Sequence, residues 1–327
     1  MKSFRTLLQL TNHPGLISYS NTYFFAGSCF AESMERKMCD IGFSTVANPF
    51  GAIYNPFSLQ NSVRKIKDNN DYSVQAVMAS HGKFVSLDHH SKFSDSDPER
   101  LVLDLNSGIR QARIGIQQSE VAFLTLGIHG FFVWKENGSI VNNCHKIDSR
   151  KFERRFGSIA ECTHALEIVV DDLVEINKDI RIVFTLSPVR YLGWGAAENS
   201  LGKAILRVAI DNIIKNRNHC SYFEAYEIML DDLRDYRFYT EDMVHPSSTA
   251  IEYIWKCLLD IGMDKVEAPI LEEMEALRKF LQHRSKDGIL HEKGKSYLAS
   301  VLDKIQTLAS EGKKFGRIKE ELLQHLV

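Results

Sequence analysis

Short runs of apolar residues alternate with longer segments of helical periodicity along the first 260 residues of the chain. The runs predict five strands, at residues 22–26, 44–51, 121–127 and 181–188 and in a segment that begins at 222. The third and fourth runs, VAFLTLG and RIVFTLSP, have no polar alternation, which is typical of parallel strands buried on both faces. Strands joined by crossover helices form a doubly wound sheet, with ligand sites at the carboxyl ends of its strands. The pattern therefore predicts an α/β fold with a parallel sheet.

Two segments depart from this alternation. Residues 52–120 are more polar and include SLDHHSKFSDSDPER, and we expect a looser insertion there, near the carboxyl ends of the strands. From about residue 265 the chain is charged and helical, with apolar stripes that include Met274 and Leu298. We expect residues 265–327 to form two helices peripheral to the sheet, either as a hairpin packed on the domain or as a contact between copies of the chain. Residues 1–264 would then form the main domain.

Composition narrows the class of protein. The 327 residues are 44% hydrophobic and 25% charged, with a formal net charge of -2, as in ordinary globular proteins. This balance favours neither nucleic acid nor an anionic membrane surface as a partner. The first 15 residues do not resemble a signal peptide, and no later stretch is apolar enough to span a bilayer. Six cysteines without the paired spacing of a metal site or a disulfide framework indicate a cytoplasmic protein with reduced thiols.

The segment FFAGSCFAES places Ser28 and Cys29 where the first strand ends and a helix begins. One interpretation is structural, because serine is a favoured N-cap residue and a small cysteine packs easily at the first helical position. The other is chemical, because the amino end of a helix favours a thiolate and a strand-to-helix turn exposes a nucleophile. The residues of this turn alone leave both open.

A candidate base lies in YTEDMVHPSS, where Asp242 precedes His245 by three residues. A carboxylate at this spacing can hydrogen-bond the imidazole and fix its tautomer, which leaves the other ring nitrogen free to accept a proton. The alternative is a surface turn in which Asp242 caps a helix that begins near Ser247. Together with the Ser-Cys turn, this spacing favours an active site.

The motif GSCFA at residues 27–31 resembles the signature of the GSCFA family, a branch of the SGNH (GDSL-type) hydrolase superfamily. The resemblance spans roughly residues 20 to 260 and includes NPFGAIYNP (48–56), NNCHK (142–146) and SPVR (187–190). It implies a flavodoxin-like sheet of about five strands, the SGNH hydrolase fold, with a helical C-terminal extension. It also implies a Ser-His-Asp type of site, an ester-hydrolysing or acyl-transferring ancestry, and no cofactor.

The resemblance assigns roles to individual residues. In the Gly-Asp-Ser motif of the superfamily the third residue is the nucleophile, so Cys29 takes that position and Ser28 takes the position of the aspartate. Asp242 and His245 match the late acid–histidine pair, and Gly51 matches the glycine whose N–H donates to the oxyanion. The Gly-x-Asn-Asp motif after the third strand is broken.

Only the glycine of that motif remains, as Gly127, and Asn143 is the candidate that could replace the missing asparagine. Asn143 and His145 could equally form a hydrogen-bonding network within a loop. Arg190 could hold a substrate carboxylate or phosphate, or pair with an acid of the protein. The adjacent histidines of DHHS (88–91) lack a third ligand, so we expect no metal.

The sequence thus indicates a hydrolase that cleaves a small ester, such as an O-acetyl group on a carbohydrate-like substrate. Cys29 or Ser28 would attack the ester, and the Asp242–His245 pair would move the proton. Two alternatives remain: an acyltransferase, and a catalytically inactive module that binds a glycan or a peptide. The expected partners are a small-molecule or carbohydrate ester and, through the C-terminal helices, a second copy of the chain.

Overall fold

The computed structural model describes residues 8–283 and 292–326 of the chain. The strands in these residues are β1 (Thr22–Gly27), β2 (Ser44–Ala47), β3 (Met78–Ser80), β4 (Lys83–Val85), β5 (Ser94–Asp95), β6 (Val121–Leu126), β7 (Gly130–Trp134), β8 (Ile140–Val141), β9 (Phe152–Phe156), β10 (Arg181–Leu186) and β11 (Cys220–Tyr222). The helices are α1 (Cys29–Asp40), α2 (Pro56–Asp68), α3 (Pro98–Gln117), α4 (Ile159–Ile176), α5 (Ala196–Asn216), α6 (Ala225–Glu227), α7 (Ser248–Gly262), α8 (Ala268–His283), α9 (Glu292–Ser310) and α10 (Ile318–Leu326).

The centre of the protein is a parallel sheet of five strands in the order β11-β10-β6-β1-β2. Counted along the chain, the order of these strands is 2-1-3-4-5, which is the flavodoxin-like arrangement. The predicted α/β class and the parallel sheet are confirmed. Because β1 connects outward to β2 and the chain then returns to β6 on the other side, the strand order reverses between β1 and β6. Crevices in doubly wound sheets open at this position, beyond the carboxyl ends of the strands.

Each face of the sheet is covered by its own hydrophobic cluster, because side chains alternate between the two faces along each strand. On one face Phe24, Leu124 and Phe184 pack with residues of α2, α3, α4 and α5. On the other face Tyr23, Phe25 and further strand residues pack with α1, α7 and the three C-terminal helices. The sheet is therefore doubly wound, and α1 and α5 lie on opposite faces.

The C-terminal helices α8, α9 and α10 take part in this second cluster. Their buried apolar residues are Ile270, Met274, Leu277, Leu298, Val301, Leu302, Ile305, Ile318 and Leu322. Just before α10, the Phe315 ring lies 5.4 Å from the ring of Tyr19, which itself stacks on Phe43 at 4.1 Å. The predicted helices are present, although the described residues form three rather than two. They are part of the core rather than an appendage at its margin.

Two strand boundaries differ from the prediction. The second strand ends at Ala47 rather than at residue 51, because Asn48 and Gly51 close a turn in which the Gly51 N–H donates to the Asn48 carbonyl at 3.2 Å. The fifth strand ends at Tyr222, where the sequence predicted its beginning. The segment that follows is helical, first α6 and then a π-helical turn over Ile228–Leu233.

The expectation of a looser insertion at residues 52–120 is wrong, because two long helices occupy much of it. In α3, Asp97 is the N-cap and Pro98 is the first residue, which is a favourable helix start. Leu101, Leu105 and further residues at helical spacing then pack against the core. Only the strands β3, β4 and β5, which form a small antiparallel sheet, match the irregular stretch that we predicted.

A second small sheet, in the order β8-β7-β9, follows β6 and extends the carboxyl edge of the central sheet. Among the described residues, no helix is long and apolar enough to cross a membrane.

Candidate active site

The turn after β1 is held tightly against the neighbouring strand β6. Gly27 has a φ of +135°, and a Cβ atom at this position would lie 2.1 Å from the Thr125 carbonyl oxygen. Only glycine fits such an approach. The Ser28 N–H donates to the same carbonyl at 3.0 Å, and the Gly27 carbonyl accepts from the Ile53 N–H at 2.7 Å. The backbone that carries Ser28 and Cys29 is therefore fixed between β6 and the loop after β2.

Ser28 occupies the N-cap position of α1 but does not cap the helix with its side chain. Its backbone is extended, with φ -68° and ψ 174°, and its carbonyl accepts from the Ala31 N–H at 2.8 Å. The hydroxyl accepts no hydrogen bond from the first turn. Although Ser28 is only 1% exposed, its Oγ has no hydrogen-bond partner among the described residues. The prediction that the Ser28 hydroxyl caps α1 is wrong, because the Ser28 carbonyl accepts the Ala31 N–H instead.

Cys29 is the first residue of α1 and is half-buried. Burial raises the pKa of its thiol above the ordinary value, and the nearby Glu32 carboxylate raises it further. The N–H groups of Cys29 and Phe30 at the helix start, and the ammonium of Lys203, act in the opposite direction. The sequence predicted that the helix start would lower this pKa, but the effect of burial is larger. In this environment burial favours the neutral thiol over the thiolate.

Asp242 and His245 form the hydrogen bond that their spacing predicted. His245 Nδ1 lies 2.6 Å from Asp242 Oδ2, and both side chains are half-exposed. Asp242 Oδ1 accepts from the N–H groups of His245 (3.0 Å) and Val244 (2.8 Å) and from the Thr240 hydroxyl (2.7 Å). These hydrogen bonds, led by that from the His245 N–H, hold the pKa of the Asp242 carboxyl far below its ordinary value.

Asp242 does not cap the following helix. Ser247 is the N-cap of α7, and its Oγ accepts from the Ala250 N–H at 3.3 Å. The hydrogen bonds of Asp242 all lie within its own turn, where Met243 takes the left-handed conformation at φ +57°. The interpretation in which Asp242 only caps a helix is therefore wrong. The interpretation in which its carboxylate orients the His245 imidazole agrees with these contacts.

The turn that carries this pair is attached to the carboxyl end of β10. The Val244 carbonyl accepts from the Arg190 N–H at 3.2 Å, and Arg190 follows β10 by four residues. β10 pairs with β6, and β6 pairs with β1. The Asp242–His245 pair and the Ser28–Cys29 turn therefore lie at the same edge of the sheet. Among the described residues, no hydrogen bond joins the His245 ring to either Ser28 or Cys29.

The two glycines assigned to the oxyanion site have amides that are already engaged. The Gly51 N–H closes its turn on Asn48, and the Gly127 N–H donates to the Tyr54 carbonyl at 2.8 Å. A Cβ atom on Gly51 would lie 2.7 Å from the His90 Cβ, so close packing accounts for this glycine. In this conformation neither amide is free to donate to an oxyanion. Gly51 therefore has no available N–H for the oxyanion-binding role that was predicted for it.

Asn143 and His145 form a hydrogen-bonding network within their loop, which is the alternative to a role in the oxyanion site. The Asn143 side chain accepts from the His145 N–H at 2.8 Å, and His145 Nε2 bonds the Ser86 carbonyl at 2.8 Å. His145 is buried, and burial lowers its pKa. These hydrogen bonds connect the loop to residues 86–87 and not to the Ser28–Cys29 turn.

Arg190 faces a cleft of about 320 Å³ beside the His245 turn. Three tyrosines also line the cleft, namely Tyr226, Tyr236 and Tyr239. The one acid in its wall, Asp235, pairs with Arg237 instead. Within residues 8–283 and 292–326, no carboxylate forms an ion pair with the Arg190 guanidinium, so its charge is available to a ligand.

The family of the chain follows from how much of its sequence matches a family model. The model of the GSCFA family matches residues 22–258, which include the GSCFA motif, the whole central sheet and the Asp242–His245 pair. The chain belongs to the GSCFA family.

Three solved structures are similar to this GSCFA protein. A family 3 carbohydrate esterase from Clostridium thermocellum has 10% identity and a TM-score of 0.34, over 79% of this chain and 98% of that chain. A GDSL-like lipase from Bacteroides thetaiotaomicron has 10% identity and a TM-score of 0.37, over 75% and 89%. An acetyl xylan esterase from the rumen bacterium Butyrivibrio proteoclasticus has 13% identity and a TM-score of 0.37, over 75% and 63%. No curated protein sequence matches the chain.

Sequence reasoning missed one charged residue of this GSCFA protein, Lys203 on α5. It is 2% exposed, and its ammonium donates to the Ser187 carbonyl at 2.6 Å. Burial lowers the pKa of Lys203 to about 7, opposed by the charges of Cys29 and Glu227. A signal was present in the sequence, because Lys203 lies three residues before Leu206 and seven before Ile210, in the buried stripe of its helix.

One of the two histidines of DHHS is part of the core. His89 is fully buried and stacks on Phe50, with Nδ1 at 3.0 Å from the Ser86 hydroxyl. In the part of the chain that the structure describes, no three His, Cys, Asp or Glu side chains cluster as a metal ion requires.

Proposed function

We propose that this GSCFA protein hydrolyses a small ester through a covalent acyl intermediate on Cys29. The observation that carries the proposal is the 2.6 Å contact between His245 Nδ1 and Asp242 Oδ2, at the sheet edge where Cys29 begins α1. A nucleophile at a strand-to-helix turn, combined with a histidine oriented by a carboxylate, is the arrangement used for acyl transfer on unrelated folds.

In this mechanism His245 moves the proton. With Nδ1–H donating to Asp242, the Nε2 atom of the imidazole is free to accept the thiol proton of Cys29. The thiolate attacks the ester carbonyl, and the alcohol leaves with the proton from His245. Water then attacks the thioester, again with His245 as base, and releases the carboxylic acid and the free thiol. Asp242 stays ionised throughout, because its hydrogen bonds hold its pKa low.

The raised pKa of Cys29 makes the base necessary. A thiol at a bare helix start could ionise without help, whereas the burial of Cys29 keeps it protonated. His245 must therefore come within hydrogen-bond reach of Sγ when substrate binds. Such contacts are often long before the substrate arrives.

The cleft beside this turn supports a carbohydrate-like ester as the substrate. Tyrosine rings pack against the apolar faces of sugars and offer hydroxyls to their edges. Arg190 adds a cation without an ion pair among the described residues, which suits a carboxylate or phosphate on the same substrate. We therefore propose an acylated, acidic sugar derivative as the substrate class.

One observation favours a second candidate, a module that binds such a ligand without cleaving it. The Gly51 and Gly127 amides are both engaged, so the oxyanion would depend on the N–H groups at the start of α1. Transfer of the acyl group to a second alcohol is the other candidate, and it would follow the same first step.

The test is the capture of the acyl group. We expect p-nitrophenyl acetate to acetylate the protein at Cys29, as seen by intact mass and peptide mapping, and turnover to fall at least 100-fold in Cys29→Ala and His245→Gln. The control is Cys39→Ala, since Cys39 is also half-buried on α1 and its pKa is also raised by burial. Acetylation spread over several cysteines, or turnover that survives Cys29→Ala, would contradict the proposal. Binding of acetylated oligosaccharide without release of acetate would favour the binding module.

A further inference from the structure

Lys203 places an ionisable amine in the interior of the protein. Its side chain is 2% exposed and lies on the face of α5 that also buries Leu206 and Ile210. Lysine is almost never fully buried unless it is paired, because an ammonium loses its hydration there. Leucine or methionine would fill this position at a lower cost in free energy, so the presence of an ionisable side chain here needs an explanation.

The contacts of Lys203 do not neutralise this charge. The ammonium donates one hydrogen bond, to the Ser187 carbonyl, and lies 5.4 Å from the centre of the Tyr226 ring. An ammonium can donate three hydrogen bonds. Among the described residues, no carboxylate comes within ion-pair distance of Lys203, so its contacts are with a dipole and an aromatic face only.

The position of Lys203 is next to the Ser28–Cys29 turn. A Cβ atom on Gly127 would lie 4.0 Å from the Cβ of Ser187 and 4.0 Å from the Cβ of Ser28. Ser187, whose carbonyl binds Lys203, and Ser28, whose buried hydroxyl has no partner among the described residues, therefore both adjoin Gly127. Cys29 follows Ser28 directly.

Other titratable groups also face this pair. On the Cys29 side they are Glu32 of the same helix and Tyr54 of the loop before α2, whose pKa is raised to about 12 by burial and by the Cys29 charge. On the Lys203 side they are Tyr226 and Glu227, the latter with a pKa raised by burial. The Lys203 charge lowers the pKa of the Cys29 thiol, against the effects of burial and of Glu32.

We propose that the buried Lys203 ammonium is the electrostatic partner of Cys29 and makes its thiolate available for attack. When the thiol gives its proton to His245 or to water, the thiolate forms beside a cation, and the buried pair carries no net charge. Lys203 is thus a positioning residue that acts through the nucleophile. This inference rests on Cys29 as the nucleophile of the proposed function, and it assigns Lys203 a role that the acid–histidine pair does not supply.

The test measures the thiol itself rather than turnover. The rate of alkylation of Cys29 by iodoacetamide is followed from pH 5 to pH 10 by peptide mapping, in wild type and in Lys203→Met and Lys203→Gln. Both substitutions remove the charge, but glutamine can still donate to the Ser187 carbonyl. We expect the pH midpoint of alkylation to rise in both variants, and a midpoint higher by about one pH unit lowers the rate at pH 7 about tenfold. Melting temperatures establish that the variants are folded.

Glu32→Gln is the matched control with the opposite sign. Glu32 is exposed and bound to Lys92 at 2.8 Å, and its carboxylate raises the pKa of Cys29. Its removal should lower the pH midpoint of alkylation. A general loosening of the site would change the pH midpoint in the same direction in Lys203→Met, Lys203→Gln and Glu32→Gln. A charge effect would raise it in the two lysine variants and lower it in Glu32→Gln.

Three outcomes would overturn the inference: an unchanged midpoint in folded Lys203→Gln, recovery of the wild-type midpoint by glutamine but not by methionine, or changes of equal sign in Glu32→Gln and Lys203→Gln. If neither Lys203 variant folds, NMR of ¹³Cε-lysine decides. The ¹³Cε shift of Lys203 must respond to the ionisation of Cys29 in the wild type and lose that response in Cys29→Ala, and the same titration in both proteins contradicts the pairing. A raised midpoint in a protein that cleaves no ester would leave this inference standing and remove the proposed function.

Discussion

Ser28 and Cys29 are neighbours in the chain, yet their side chains have opposite surroundings. The Ser28 hydroxyl is buried and lacks a partner among the described residues, while the Cys29 thiol is half-buried and faces a carboxylate, two amides and an ammonium. The first arrangement costs free energy, because a buried polar group without a hydrogen bond has lost its hydration. The second is suited to a group that changes its charge during a reaction. At the scale of single residues, this contrast is the reason that we propose Cys29 rather than Ser28 as the nucleophile.

We expect Ser28→Ala to leave the protein as stable as the wild type or more stable. A serine that capped α1 through its side chain would lose about 1 kcal/mol on this substitution. The Ser28 hydroxyl makes no such bond, and its removal relieves a desolvation cost of about 1 to 3 kcal/mol. Urea unfolding of the two proteins measures the difference. The control is Ser158→Ala, because Ser158 does cap α4 through its hydroxyl and should lose stability. A loss at Ser28 equal to that at Ser158 would restore the capping role.

The sequence allowed the acid–histidine pair to be predicted, but not the buried lysine. Asp242 and His245 are three residues apart in one turn, so their contact depends on local geometry alone. Lys203 becomes part of the site only because α5 packs on the sheet and turns that side of the helix inwards. A lysine within a helical pattern is ordinarily interpreted as a solvated residue, and its burial depends on contacts that the local sequence does not contain.

At the scale of elements, α5 is held close to the connection between β6 and β7. A Cβ atom on Gly202 would lie 2.5 Å from Nδ1 of His129, a buried ring that also contacts Glu198 at 3.2 Å. The backbone of α5 therefore approaches this connection as closely as glycine permits, one residue before Lys203. The position of the ammonium depends on this contact.

We expect Gly202→Ala to displace α5 and to lower stability by about 1 to 3 kcal/mol, as overpacking of a core does. The helix propensity of alanine favours the substitution by about 1 kcal/mol, which the clash with His129 should exceed. Alkylation of Cys29 should change at the same time, because Lys203 moves with its helix. Gly108→Ala in α3 is the control, since the nearest atom there is the Pro49 Cβ at 3.3 Å. Equal stability of the two variants would show that α5 adapts without strain.

Strands were predictable where they are continuous apolar runs. β1, β6 and β10 each have six residues that are buried almost throughout, so their sequences lack the alternation of a half-exposed strand. β11 has only three residues, and its boundary depends on pairing with β10 rather than on its own sequence. α3 was missed because Leu103 and Ile114 are exposed and obscure its apolar stripe, although its buried residues recur at helical spacing. The local sequence pattern thus predicts the central strands of the sheet better than the edge strands.

At the scale of the whole molecule, the C-terminal helices complete the core on the face of the sheet that carries α1. The apolar residues that indicated an association surface, among them Leu277, Leu298 and Ile305, are buried within the chain. Lys314 extends this contact, because its N–H donates to the Tyr19 carbonyl and its ammonium pairs with Glu120, each at 2.5 Å. Association of two copies through these helices stays a prediction, but it would use the remaining exposed side.

Two adjacent leucines of α10 provide a matched test of this packing. Leu322 is fully buried in the core cluster, whereas Leu323 is 46% exposed. We expect Leu322→Ala to lower the free energy of unfolding by about 2 to 5 kcal/mol. Leu323→Ala should change it by no more than about 0.5 kcal/mol. Denaturant unfolding of both variants measures the contrast, and similar small effects at both positions would show that the tail is dispensable for the core.

The contact between Tyr19 and Phe315 joins the beginning of the described chain to its end, and this has a consequence during synthesis. The ribosome makes Tyr19, Phe43 and Trp255 well before the helices that cover them, so the nascent protein presents an open apolar surface until α8, α9 and α10 have been made. A chain that terminates before α8 would keep that surface, and we expect chaperones and proteases to remove it. Helix α1, which begins with Cys29 and packs through Met34 and Met38 on the same surface, would then be fully supported only after α10 has been made. Synthesis of these three helices would thus act as a checkpoint on the assembly of the turn that carries Cys29.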